Sequence, residues 1–192
     1  MQTPEESAFD LMEKGYTMYY CTIYSSPIGE LTLGSDGAAL TGLWLEGQKY
    51  FGGRENVWQR CDGLPVFASA RQWLDAYFAG QAPPVSPLPL APQGTVFQQE
   101  VWQLLLEIPY GTTTTYGTLA AQLAQRRGLS RFSAQAVGSA VGKNPISIIV
   151  PCHRVVASDG ALTGYAGGIP RKEWLLCQEG IKMANGKVSR QQ

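Results

Sequence analysis

The chain has 192 residues, 44% of them hydrophobic and 10% aromatic, enough for one large domain or two small ones with a real core. Charged residues make up 16%, and 15 basic side chains balance 15 acidic ones to a formal net charge of zero. That excludes a disordered or polybasic chain and weighs against nucleic-acid binding, which usually shows as excess positive charge.

The first twenty residues contain Glu5, Glu6, Asp10 and Glu13 and no long apolar run, so they are not a signal peptide. No stretch approaches the roughly 18 consecutive apolar residues of a membrane span. Cys21, Cys61, Cys152 and Cys177 are widely scattered, and none pair as C-x-x-C. The chain has one histidine, so a Cys/His metal site has few candidate ligands. The expected setting is the reducing cytoplasm, with no membrane partner and no metal.

Residues 1–17 are polar and read as loosely held. Met18 to Tyr24 reads as a strand, followed by the turn Ser25-Ser26-Pro27-Ile28-Gly29. Leu31 to Leu33 and Leu40 to Leu45 read as two more strands, separated by Ser35-Asp36-Gly37. Three short strands in succession predict an antiparallel meander. Phe67, Trp73, Leu74, Tyr77 and Phe78 fall near helical spacing and predict a helix ending at Gly80, laid on one face of the sheet. Gln81 to Pro92 holds Pro83, Pro84, Pro87, Pro89 and Pro92, a stiff extended segment that marks a domain boundary. Beyond it, Phe97, Val101, Trp102 and Leu105 form a helical apolar face closed by Pro109 and Gly111. Tyr116 to Arg126 and Ser133 to Val141 read as two further helices, the second ended by Asn144-Pro145. Ile146 to Val150 is a short β-branched run. Glu173 to Gln178 fits a last helix with Pro170 near its start and Gly180 after it. The tail from Ile181 is polar.

The zero charge is an average. Residues 1–100 carry 11 acidic and 5 basic side chains, and residues 101–192 carry 4 acidic and 10 basic. No acid lies between Glu107 and Asp159, whereas Arg126, Arg127, Arg131, Lys143 and Arg154 do. Screening limits exposed charges to about 10 Å or less, so the second half can present a phosphate-binding face. The bland alternative is ordinary solvated side chains. The two middle helices invite a helix-turn-helix reading. The second lacks the Arg, Asn or Lys of a major-groove reader. Its small residues Ala134, Ala136, Gly138 and Ala140 suit close approach to a minor groove, or tight helix packing.

Cys152-His153 is the strongest local signal. A thiolate is the reactive form of cysteine, and an imidazole can take its proton. Adjacent residues on a regular strand point to opposite faces, so direct contact needs a turn, or else a bridging water. The alternative is a buried, inert cysteine beside an incidental histidine.

Pro151-Cys152-His153-Arg154-Val155 resembles the active-site signature of the O6-alkylguanine-DNA alkyltransferases, the methylated-DNA–protein-cysteine methyltransferases. The resemblance extends to Val141-Gly142-Lys143-Asn144-Pro145 before it, and to Gly164-Tyr165-Ala166-Gly167-Gly168 and Lys172-Glu173-Trp174-Leu175-Leu176 after it. Ile108-Pro109-Tyr110-Gly111, Thr115-Tyr116-Gly117 and Ser26-Pro27-Ile28-Gly29 with Leu31 and Leu33 also match. Coverage runs from about Met18 to Gly180.

The resemblance implies an α+β fold. A small three-stranded antiparallel, ribonuclease-H-like domain with a helix would occupy residues 1–91. A mainly helical, winged helix-turn-helix-like domain at residues 92–180 would carry the active site, with residues 181–192 as a polar tail. Cys152 would be the nucleophile that takes the alkyl group from guanine O6, once and irreversibly. His153 would be its base through water, and Glu179 would orient His153. Asn144 would brace the active-site turn. Tyr116 would hydrogen-bond guanine N3 and stabilise the leaving guanine. Tyr165 would stack on the base, the Ala166 N–H would donate to O6, and carbonyls near Cys152 and Val155 would accept from the exocyclic amine. Ser147 would help set pocket width. The base would be flipped out of duplex DNA, because its O6 is unreachable in the stack. Ala134, Gln135, Ala136, Gly138, Arg131 and Arg154 would face the DNA.

No cofactor is expected. The partner is duplex DNA carrying O6-alkylguanine, with O4-alkylthymine left open as a second substrate, and the acting unit is a monomer. The chain resembles the stand-alone repair form.

One departure stands out. The family commonly has an arginine early in the recognition helix to fill the gap left by the flipped base, and Gln135 occupies that position. The segment Gln125 to Phe132 is also longer than usual and brings Arg126, Arg127 and Arg131, one of which would supply the missing charge. Two competing readings remain: a cysteine hydrolase built on Cys152, His153 and Asn144, and a DNA-lesion sensor or helix-turn-helix regulator that binds without transfer.

Overall fold

The computed structural model describes residues 18–49, 51–52 and 57–189. The loosely held segment expected at residues 1–17 lies outside them.

β1 (Met18–Ser26), β2 (Gly29–Ser35) and β3 (Leu40–Leu45) form the expected antiparallel meander. The sheet has four strands rather than three, in the order β3-β2-β1-β4. β4 (Val57–Arg60) runs parallel to β1. It is a four-residue edge strand ending in Gln59 and Arg60, too short and polar to show alternation. α1 (Pro65–Phe78) opens on a proline at its first turn and buries Val66, Phe67, Ala70, Trp73, Leu74 and Tyr77. That stripe covers Leu31, Leu33, Leu43 and Leu45, all fully buried. Truncating one such leucine to alanine costs about 2–5 kcal/mol.

Every residue of β3 is buried, because its outer edge is not left to solvent. Leu40 donates its N–H to Pro89 O at 2.8 Å, and Ala91 donates to Leu40 O at 2.9 Å. The proline-rich segment therefore packs along the sheet edge. Further along, Leu43 N–H donates to Pro145 O and Ser147 N–H to Leu43 O, each at 2.9 Å. Thus the β-branched run after Asn144 closes the sheet edge through one bridge, Leu43 to Ile146. This protects an exposed edge and fixes the second domain against the first.

The second domain is helical. α2 (Val96–Leu106) starts at a capping box of Thr95 and Gln98. α3 (Tyr116–Arg126) and α4 (Ala134–Val141) are capped by Thr115 and Ser133. α5 (Ile169–Gln178) closes the domain. Two residues of β5 (Thr114–Thr115) pair in parallel with β6 (Val155–Val156), which ties the start of α3 to the segment just after Cys152.

The expected polar tail is partly structured. β7 (Met183–Ala184) and β8 (Lys187–Val188) make a hairpin. Its turn residues Asn185 and Gly186 both have positive φ, at 51° and 71°, the pattern of a two-residue hairpin loop. Met183 and Val188 pack on a small apolar cluster of Val156, Leu176 and Ile181, which the polar composition of the tail concealed. Among the described residues, no helix is long and apolar enough to cross a membrane.

Candidate active site

Cys152, His153 and Arg154 form a single 3-10 turn. This turn answers the geometric problem of adjacent Cys and His, since it lets both side chains lie inside the protein. Cys152 is 7% exposed and His153 is fully buried.

The turn is braced by Asn144. Its amide Nδ2 donates to Val150 O at 2.8 Å, to Ile146 O at 3.3 Å and towards Cys152 Sγ at 3.1 Å. Its Oδ1 accepts from Ile146 N–H at 3.0 Å. Between these bonds lies Ile148 with φ of 70°. A β-branched residue in the left-handed region is an outlier that persists only when its surroundings hold it. Burial pushes the Cys152 thiol up. The Asn144 amide, the Lys172 charge and the backbone N–H groups of Cys152 and His153 oppose this.

Behind the sulfur stands a buried relay. His153 Nε2 lies 2.7 Å from Glu179 Oε1. Glu179 also accepts from Arg154 Nε at 2.8 Å, Arg154 Nη2 at 3.0 Å, Gly111 N–H at 3.1 Å and the Tyr77 hydroxyl at 2.8 Å. Burial alone would raise the Glu179 pKa, but donors from His153 and Arg154 outweigh it and hold it at about 2. An ionised Glu179 assigns the imidazole proton to Nε2. His153 Nδ1 is then the bare ring nitrogen, buried and without a hydrogen-bond partner among the described residues. Burial also pushes the His153 pKa down, opposed by Glu179.

Lys172 completes the site. It is fully buried, and its ammonium donates to Val155 O at 2.6 Å and Thr163 O at 2.7 Å. Burial lowers its pKa to about 8, and the neighbouring Cys152 works in the opposite direction. Sequence reasoning placed Lys172 only inside a matching motif. Tyr77, from the other domain, went unnoticed because its spacing fitted the core face of α1. A buried lysine cannot be told from a solvated one without the fold.

Tyr116 is half-buried, with its hydroxyl donating to Thr163 O at 3.1 Å. Gly164 at φ of 63° lets the chain pass close by: a Cβ there would lie 3.1 Å from the Tyr116 oxygen. Tyr165 is buried and Ala166 half-buried beside it. Ser147 is buried, and its hydroxyl donates to Gln48 Oε1 at 3.0 Å. The structure thus gathers Cys152, His153, Glu179, Asn144, Val155, Tyr165 and Ser147 around one buried centre, with Tyr116 at its margin.

On α4, Ala134 and Gln135 are exposed, while Ala136 and Gly138 are half-exposed. A Cβ on Gly138 would lie 3.5 Å from the Tyr116 ring, so the helix and the site adjoin.

Two sequence expectations about charge need correction. Arg154 is not a DNA-facing side chain. It is buried, bonded to Glu179 and to Ile108 O at 2.6 Å, and lies over the Tyr110 ring. The acid-free stretch is not a free basic face either. Arg126 pairs with Glu107 at 2.5 Å and Arg127 with Glu100 at 2.7 Å, because α2 brings its acids back against α3. The Arg127 guanidinium also lies within 5.7 Å of the Phe97 ring centroid and 5.4 Å of that of Phe132, two rings that stack on each other. Arg131 and Lys143 stay exposed.

The profile of the 6-O-methylguanine DNA methyltransferase ribonuclease-like domain matches residues 19–92, and that of its DNA binding domain matches residues 96–181. The methylated-DNA–protein-cysteine methyltransferase of Haemophilus influenzae is 44% identical over 165 residues, covering 86% of this chain and 88% of the relative. That of Mycobacterium bovis is 47% identical over 159 residues, covering 83% and 90%. A crystal structure of Mycobacterium tuberculosis OGT in complex with DNA matches with a TM-score of 0.72 at 44% identity, covering 84% of this chain and 92% of that one. Domain by domain and over most of its length, the chain belongs to the methylated-DNA–protein-cysteine methyltransferase family.

Proposed function

We infer that the protein repairs O6-alkylguanine in duplex DNA by moving the alkyl group to Cys152. The observation that carries this is the buried 3-10 turn. It sets a cysteine sulfur against the Asn144 amide, beside an imidazole whose only bare nitrogen is Nδ1. His153 Nδ1 takes the thiol proton by way of water, and Glu179 stabilises the imidazolium that results. Sulfur then attacks the alkyl carbon, and the carbon–O6 bond breaks with its electron pair going to guanine. The guanine anion is protonated, so the thiol proton ends on the base and the products are a thioether and guanine. A thioether has no ready leaving route, so each chain reacts once.

Tyr116 hydrogen-bonds guanine N3, Tyr165 stacks on the base and the Ala166 N–H donates to O6. The Val155 carbonyl accepts the Lys172 ammonium on one lone pair, which leaves the other for the exocyclic amine. Lys172 also offers the thiolate a nearby positive charge. Ser147 acts on pocket width through packing, since Gln48 takes its hydroxyl. The base reaches the site by flipping. Ala134, Ala136 and Gly138 let α4 approach the minor groove, Gln135 fills the vacated stack, and Arg131 supplies the charge that Gln135 lacks. One chain carries every group the reaction needs, so the acting unit is a monomer. Residues 1–91 serve as scaffold and residues 92–180 as the reacting, DNA-binding unit.

Incubation with O6-methylguanine duplex followed by intact mass and peptide mapping tests this. One added CH₂ on the Cys152 peptide supports transfer. Unchanged mass with retained binding makes the protein a lesion sensor, and turnover of an ester or amide makes it a hydrolase.

A further inference from the structure

Tyr77 belongs to α1 of the sheet domain, yet its hydroxyl lies 2.8 Å from Glu179 Oε1 and 3.5 Å from His153 Nε2. It is fully buried. Its ring stacks on Trp73 at 5.4 Å and 8°, and meets Tyr110 edge-on at 6.0 Å and Phe78 edge-on at 5.4 Å. Three aromatic neighbours leave the ring one position, and so the hydroxyl one address. Burial, and then the Glu179 charge, push the phenol pKa far above its usual value. The hydroxyl therefore stays a donor wherever the protein is folded.

Glu179 Oε1 thus receives the Tyr77 O–H, the His153 Nε2–H and an Arg154 N–H, while Oε2 receives Arg154 Nε and Gly111 N–H. A carboxylate accepts up to about four such bonds at ease. With five donors around it, Glu179 has no spare orientation. Core packing alone would not need the hydroxyl, since a phenylalanine ring fills the same space.

We propose that Tyr77 is a positioning residue for alkyl transfer: it turns the Glu179 carboxylate towards His153 and fixes the imidazole tautomer that leaves Nδ1 free for the Cys152 proton. The sheet domain then contributes directly to the reaction rather than acting only as a scaffold. The proposal rests on the reading of Cys152 as alkyl acceptor.

Among the described residues, Glu179, Arg154 and Lys172 act on the charge of His153 and the Tyr77 hydroxyl lies near its Nε2, with Cys152 next to it in the turn and Tyr110 beside Glu179. Removing the Tyr77 hydroxyl leaves Glu179 with one donor fewer and makes it a stronger base. A stronger carboxylate partner raises the proton affinity of His153. Transfer needs neutral His153, so the acid limb of the rate profile moves to higher pH.

The test is Tyr77→Phe in the full chain, with single-turnover transfer from O6-methylguanine duplex followed across pH. DNA affinity and intact mass are measured in parallel. The expected result is a rate about tenfold lower at neutral pH and an acid limb raised by about half a unit, with DNA affinity unchanged. In a Glu179→Gln background, adding Tyr77→Phe should change neither quantity, because the hydroxyl acts through the carboxylate. Since His153 is the only histidine, its ¹⁵N signals give a second readout on the parent protein: Nε2 carries the proton. An Nδ1-protonated His153, an unchanged Tyr77→Phe profile, or a slowing equal at every pH would each overturn the proposal. A parent protein that gains no methyl on Cys152 would instead overturn the function on which it rests.

Discussion

The Asn144 side-chain amide stands 3.1 Å from the Cys152 sulfur. The same amide holds the carbonyls of Ile146 and Val150, on either side of the left-handed Ile148. One side chain therefore shapes the turn and also points a donor at the nucleophile. Asn144→Asp should remove both roles at once, because a carboxylate of the same size can donate neither to the two carbonyls nor to the sulfur and repels a thiolate. Transfer should fall by about 100-fold or more. Either variant should leave Val150 O without that donor, at a cost of about 1–3 kcal/mol, and Asn144→Ala does so without adding a charge beside the sulfur. Single-turnover kinetics and urea unfolding of both variants check this; transfer by Asn144→Asp at the parent rate would remove Asn144 from the site.

Lys172 sets the second expectation. Its ammonium is a positive charge that opposes the effect of burial on Cys152, and it joins Val155 O to Thr163 O, the acceptor of Tyr116. Lys172→Met should raise the pH at which Cys152 becomes reactive by about one unit or more. The rate of iodoacetamide alkylation of Cys152 against pH reads this without DNA. An unshifted profile means that Lys172 only ties the two carbonyls.

Most of the helices and the reacting pair were legible because their signals are local. The α3 boundaries follow from the turn chemistry before Tyr116 and the apolar period after it, and Cys152-His153 is a contiguous pair. What was not legible depends on distant residues meeting. Arg154 reads as a surface cation until Glu179 and Ile108 O are found around it. Arg126 and Arg127 look free until α2 returns Glu107 and Glu100. Tyr77 fits the core face of α1 equally well with or without a partner 102 residues away. β4 and the C-terminal hairpin gain their stability from β1 and from the Val156 cluster, not from their own composition.

The ion pairs sharpen the expectation for DNA binding. Arg131→Ala should weaken binding and lower the salt slope by about one. Arg126→Ala and Arg127→Ala should change the slope little, since each cation already holds a carboxylate. Fluorescence anisotropy over a salt series measures this, and a slope implying roughly ten or more phosphates would contradict so few free cations. Gln135→Ala should slow repair of duplex; repair at the parent rate would show that filling the stack at that position does not matter.

Glu179 predicts an acid transition. Its pKa lies at about 2 in the folded chain against the ordinary 4.5. A carboxyl lowered by folding stabilises the protein fully above its unfolded pKa, and that contribution is lost as pH falls through the folded value. About 3 kcal/mol of stability should therefore disappear between about pH 5 and pH 2. Urea midpoints across that range should fall in the parent and run flatter in Glu179→Gln, which starts from lower stability because Arg154 loses its charge partner. Parallel curves would assign the acid loss to other carboxylates.

The C-terminal hairpin is held close to the loop after β6. Gly160 sits at φ of 82°, and a Cβ there would lie 2.9 Å from Val188 O. Val188 N–H donates to Gly160 O at 2.9 Å, and Lys187 pairs with Asp159 at 2.5 Å. The exposed ion pair adds little, so docking of the hairpin rests on the close backbone approach and on the packing of Met183 and Val188 against Val156, Leu176 and Ile181. Gly160→Ala should force the strands apart and cost about 1–3 kcal/mol, whereas Lys187→Ala should cost under about 1 kcal/mol. Limited proteolysis after Lys182, a site both variants keep, read beside the thermal midpoint, separates local release from global loss. The loop from β6 also leads to Thr163 and Tyr165, so release of the hairpin should reach the site and slow transfer in Gly160→Ala while leaving Lys187→Ala near the parent rate.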